Sequence, residues 1–106
     1  KNTQDDPRFD WLFKVRESTQ VEAEFMIDNH SIIIDRLFID NGILWIIDFK
    51  TAVQAESESI DQFVERQIST HTKQLLFYKQ ALANTYANDI KCALYCPAVQ
   101  KIIEIN

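Results

Sequence analysis

Residues 31–51 read Ser-Ile-Ile-Ile-Asp-Arg-Leu-Phe-Ile-Asp-Asn-Gly-Ile-Leu-Trp-Ile-Ile-Asp-Phe-Lys-Thr, two apolar runs on either side of Asn41-Gly42. Asn-Gly between β-branched and aromatic residues is the strongest short signal for a two-residue hairpin turn, because both turn positions need positive φ. The stretch therefore reads as a β-hairpin with strands over 31–40 and 43–51. If Asn41 and Gly42 fill the turn, Asp40 pairs with Ile43, and counting outward puts Asp35 opposite Asp48. Opposed side chains of an antiparallel pair share a face, and Lys50 joins it two residues on.

Like charges directly opposed destabilise a sheet, and the neighbours here are Ile, Leu, Phe and Trp. Folding alone does not select such an arrangement. A hard divalent cation offsets the repulsion: Mg²⁺ takes carboxylate oxygens and keeps waters for a substrate phosphate. One strand back, residues 21–27 read as a strand entering the polar segment Asp28-Asn29-His30-Ser31. A two- or four-residue loop centred on Asn29-His30 places Glu24 opposite Asp35, extending the acids into a row of three. That turn lacks glycine, so its register is less constrained.

The remaining chain supplies covering elements. Phe9, Trp11, Leu12 and Phe13 follow Pro7 and predict a short helix to about Lys14 that covers one sheet face. Residues 1–7 are expected to be a flexible polar terminus, with Asp5, Asp6 and Asp10 as solvated acids. In the second strand Ile33, Leu37 and Ile39 are expected on one face and Ile32, Ile34 and Phe38 on the other. A sheet apolar on both faces is covered on both. Arg36 points away from Asp35 and carries no catalytic assignment. Residues 52–62 read as a polar connection, followed by a helix from about Ser59 or Asp61 to Asn84, with a break at Ser69-Thr70. Residues 90–97 read as a strand ended by Pro97 that joins the sheet in parallel through a crossover, and Val99–Ile105 as an edge strand. The fold class is α/β, a mixed central β-sheet flanked by helices.

The order Ile34-Asp35-Arg36, then Ile47-Asp48-Phe49-Lys50-Thr51, then Gln74 and Tyr78 resembles the PD-(D/E)xK nuclease superfamily. Its nearer likeness is to the RecB-like nuclease domain at the C-terminus of UvrD/Rep-type helicase-exonucleases, such as the exodeoxyribonuclease V beta subunit and AddA-like proteins. The resemblance covers roughly residues 9–97. It implies a restriction-endonuclease-like core in which Asp35 and Asp48 bind Mg²⁺, or Mn²⁺ in its place, and Lys50 is the catalytic lysine. Glu24 matches the acid ahead of the first-strand aromatic, and with the Phe49 backbone carbonyl is a further candidate ligand. Gln74 and Tyr78, one helical turn apart, match the branch's glutamine and tyrosine, with a face toward DNA or the metal ligands. The His or Glu usually supplied by a preceding helix has no match here. The implied activity is an Mg²⁺-dependent DNA exonuclease in double-strand-break repair and recombination. The implied partners are DNA, a helicase domain of the same chain that uses ATP outside this segment, and a partner subunit.

Composition bounds these expectations. At 106 residues and 46% hydrophobic, the chain is expected to be one domain spanning 1–106, a C-terminal fragment of a longer helicase-nuclease. No apolar run reaches the roughly 18 residues of a membrane span and no signal peptide is visible, which sets the expectation of a cytoplasmic protein with no membrane partner. Gly42 is the only glycine, so no phosphate-binding loop of the P-loop kind exists here. Cys92 and Cys96 stand four apart in a strand, a Cα separation of about 13 Å against the roughly 7 Å limit of a disulfide, so both are expected as thiols. His30 and His71 fall in no metal-ligand spacing, although His71 is placed to meet a phosphate. The net charge of −5 is the wrong sign for autonomous DNA binding, so little affinity is expected from this chain alone. That charge keeps open a second reading, a catalytically inactive nuclease-fold module for structural or protein docking. A third, a small-molecule metalloenzyme on another fold, explains neither Gln74 nor Tyr78.

Overall fold

Asn41 and Gly42 adopt positive φ, +51° and +78°, as a type I′ turn requires. The ladder beyond them runs from Asp40–Ile43 to Arg36–Ile47, in the expected register. The computed structural model describes residues 7–105; the terminal segment expected to be flexible lies, up to residue 6, outside them. The described strands are β1 (Gln20–Ile27), β2 (His30–Asp40), β3 (Ile43–Phe49), β4 (Asp89–Cys96) and β5 (Lys101–Ile105), with helices α1 (Pro7–Phe13) and α2 (Ile60–Ala83). They form a five-stranded sheet in the order β1-β2-β3-β4-β5. Only β3 and β4 are parallel, joined by the α2 crossover, and the rest are antiparallel. This is the mixed α/β sheet that the sequence predicts.

Each face has its own helix, as two-sided apolar strands require. On the α2 face, Phe63, Leu75 and Leu82 pack against Ile34, Leu37, Leu44, Ile46, Cys92 and Leu94. On the other, Leu12 of α1 packs on Phe38, Ile47, Ala93 and Ile102, with Trp11, Phe13, Trp45 and Tyr95 around them. Arg36 fastens α1 in place. Its Nε donates to the Leu12 carbonyl (3.0 Å) and its Nη2 to the Phe13 carbonyl (3.1 Å), satisfying carbonyls that the helix end leaves open. The arginine does point away from the acids.

Three expectations are corrected. The β1–β2 turn is a two-residue one at Asp28-Asn29, with φ of +51° and +68° and Ile27 paired to His30. Asp and Asn tolerate the left-handed region without glycine, so the loop sits one residue earlier than expected. Glu24 consequently pairs with Ile33, not with Asp35. Secondly, the side-chain alternation of β2 breaks. Ile32, Ile34, Leu37 and Ile39 all pack on the α2 face, Phe38 faces α1, and Ile33 is 55% exposed. The switch falls at Asp35 and, across from it, Glu22, whose φ is +49°; the ladder skips this one step between Val21–Arg36 and Ala23–Ile34. Thirdly, α2 is continuous through Ser69-Thr70, both exposed, and β3 ends at Phe49. Ser59 caps α2 in a reciprocal box with Gln62.

Candidate active site

β3 carries Asp48 on the face that also buries Leu44 and Ile46, so the carboxylate enters the sheet–α2 layer with only 8% of the residue exposed. One step beyond the last β2–β3 pair, Arg36–Ile47, Asp35 stands across from it. Asp35 Oδ2 accepts a hydrogen bond from the Phe49 N–H at 2.8 Å, which fixes the carboxylate at the mouth of the hairpin. The two carboxyl groups lie within hydrogen-bonding reach of each other. Lys50, just past β3, is held by its N–H to the Tyr95 carbonyl (2.9 Å) and sets its Nζ 2.8 Å from Asp48 Oδ2. The contact is an ion pair, and Lys50 is the one partner that Oδ2 has among the described residues.

Electrostatics follow from this crowding. Burial pushes the Asp48 carboxyl above the ordinary range, against the pull of Lys50 and with Asp35 adding to the push. Tyr78 is raised by burial and by the charges of Asp48 and Asp35, which keeps its phenol protonated; Gln74 is its hydrogen-bond neighbour one turn away. His71 is lowered by burial and then by Lys50, both of which favour the neutral imidazole. Cys96 also senses Lys50 and Asp48, and burial raises its thiol. Both cysteines are free and buried.

The structure thus brings together Asp35, Asp48 and Lys50, with Tyr78 on α2 close enough to sense all three charges and Gln74 beside Tyr78. It leaves out Glu24, whose carboxylate accepts from the Ser31 hydroxyl on the exposed hairpin. His30 opens β2 and is exposed. Two features were missed in the sequence. Glu22 occupies the position facing Asp35, a consequence of the turn at Asp28-Asn29. Gln67, four residues before His71 on α2, is 1% exposed with an unpartnered Oε1, and no periodicity argument selects it.

The chemistry of the donor set suits a hard cation: paired carboxylates, one of them buried and offset by a single ammonium. It supplies two acids, and among the described residues no group of three or more His, Cys, Asp or Glu converges as a metal cluster. Among the described residues, no helix is long and apolar enough to cross a membrane. The family model of the PD-(D/E)XK nuclease superfamily matches residues 9–102. A search of curated proteins finds no match.

Proposed function

The chain belongs to the PD-(D/E)XK nuclease superfamily, and from that premise we propose that it is a divalent-metal-dependent deoxyribonuclease domain, acting as an exonuclease beside an ATP-driven helicase of the RecB-like kind. The observation that carries this reading is the buried Asp48 carboxylate set against Asp35 and 2.8 Å from the Lys50 ammonium. Two apposed acids are costly unless something cationic offsets them.

Asp35 and Asp48 would hold the cation, with the Phe49 carbonyl as a further oxygen. Bound there, Mg²⁺ or Mn²⁺ supplies Lewis acidity toward a phosphoryl oxygen and lowers the pKa of water. The chain's own contribution is positioning and charge. Lys50 neutralises negative charge that builds on the phosphoryl oxygens as water attacks phosphorus and the P–O bond to the leaving nucleotide breaks. The Phe49 N–H holds Asp35 through Oδ2, which leaves the other carboxylate oxygen for the cation. Tyr78, held protonated, offers an O–H to a phosphate or a bound water, and Gln74 fixes its orientation.

The formal charge of −5 favours the second reading, a docking module that has kept the acids without turnover. Incubation of the full chain with labelled single- and double-stranded DNA decides between them. Cleavage that requires Mn²⁺ or Mg²⁺ and stops with chelator is the expected result; intact DNA under every condition contradicts the nuclease reading.

A further inference from the structure

Where β1 and β2 lose their alternation, the sheet opens into a cavity of about 490 Å³ lined by Val21, Glu22, Asp35, Arg36 and Phe49. Its volume is that of a small-molecule site, and it shares Asp35 with the acid pair. We propose that this cavity is a nucleobase subsite, which takes one unstacked base of single-stranded DNA on the α1 side of Asp35, the residue through which it adjoins the acid pair. The proposal rests on the nuclease reading for what the neighbouring acids do.

Three features of the lining point to a base as the occupant. Phe49 is 37% exposed although it follows directly on the buried Asp48. Its ring is braced by Phe13 (centroids 5.9 Å apart, 58°) and Tyr95 (5.5 Å, 73°), so its orientation is set before any ligand arrives. A braced aromatic ring beside a polar site is the usual platform for a base in single-strand binding. Val21, 61% exposed on the edge strand, supplies an apolar wall across the opening.

Charge excludes the alternative part of the nucleotide. Glu22 and Asp35 outnumber Arg36 in the lining, and the Arg36 guanidinium is turned to the carbonyls of Leu12 and Phe13, so a phosphate would meet net negative charge. An uncharged base does not, and its amino N–H groups are donors that a carboxylate accepts. The backbone adds a further sign: Glu22 holds φ at +49°, a conformation that L residues other than Asn and Asp rarely adopt and that clusters at functional sites.

The test uses the full chain and fluorescein-labelled single-stranded oligodeoxyadenylates in which one nucleotide at a time is abasic, with binding read by anisotropy in chelator and cleavage read separately in Mn²⁺. One abasic position is expected to weaken binding about 5- to 150-fold, the factor that a stacked base contributes. Phe49→Leu keeps apolar packing on Phe13 and Tyr95 but removes the ring face, and is expected to abolish that penalty; Phe49→Trp retains it. Val21→Trp fills the cavity from an exposed position, so it gives the same answer should Phe49→Leu fail to fold. Met26→Ala, exposed and outside the cavity, keeps the penalty. Binding that ignores base removal at every position, a penalty that survives Phe49→Leu or Val21→Trp, or no binding of any oligonucleotide overturns the subsite. Base-dependent binding without Mn²⁺-dependent cleavage leaves the subsite standing and contradicts the nuclease reading instead.

Discussion

Replacing Asp48 by Asn in the metal-free protein separates the cost of the acid pair from its use. At 2.8 Å and an effective dielectric of 20, the Lys50–Asp48 attraction is about 6 kcal/mol gross. The Asp35–Asp48 repulsion at hydrogen-bond range is about as large and opposite, so the two largely cancel. What remains is the burial of a carboxylate, the leading cause of the raised Asp48 pKa. Asn keeps the shape and removes the charge, and should stabilise the chelated protein by about 1–2 kcal/mol at neutral pH. The sign also shows in pH. A carboxyl raised in the folded state binds its proton more readily there than in the unfolded chain, so wild-type stability falls as pH rises from the ordinary aspartate range through the folded pKa. The variant lacks that contribution. Urea denaturation of both proteins in chelator, from about pH 4 to pH 8, measures the difference and cancels other titrating groups. A variant less stable than wild type by more than about 2 kcal/mol at every pH would refute the reasoning, because the ion pair with Lys50 would then be structural.

Other consequences lie away from the acids. Arg36→Met keeps the stem and deletes the bonds to the Leu12 and Phe13 carbonyls; it should cost about 3 kcal/mol in chemical denaturation, whereas a loss under about 1 kcal/mol would show that α1 is held by its apolar contacts alone. Glu58 accepts from Arg66 at 2.8 and 2.9 Å and from the Ala55 N–H, which lowers its pKa from the ordinary 4.5 to about 2. A depressed carboxyl contributes stability above its ordinary pKa and loses it as pH falls from about 4.5 through about 2. Glu58→Gln should flatten acid denaturation in that window, and an unchanged acid limb would place the pair outside the folding balance.

What the sequence revealed depended on how tightly local chemistry constrains the backbone. Asn41-Gly42 admits one turn, and the register that sets Asp35 across from Asp48 follows from it. Asp28-Asn29 can also hold positive φ, but its neighbours His30 and Ser31 are equally polar, so polarity does not choose between turns one residue apart, and that choice decides whether Glu24 or Glu22 faces Asp35. The change of face at Asp35 breaks the period-two rule itself, and an alternation argument has no means of detecting it. Ser69-Thr70 resembled a helix break, yet both side chains sit on the solvent side of α2, where polar residues carry no such meaning. Resemblance alone singles out Gln74 and Tyr78, and buried Gln67 carries no pattern that distinguishes it from a surface glutamine. The two-sided apolar strands correctly required a helix on each face, because only coverage explains them.

The central claim is that Asp35, Asp48 and Lys50 act together on a phosphodiester. Single-turnover cleavage of DNA in Mn²⁺ by the full chain and by Lys50→Ala, compared at matched stability and matched DNA binding, tests it most directly. The account predicts that folding and binding persist while the cleavage rate falls on the order of 100-fold or more, as removal of a group serving the transition state requires. A Lys50→Ala protein that cleaves as fast as wild type would contradict it.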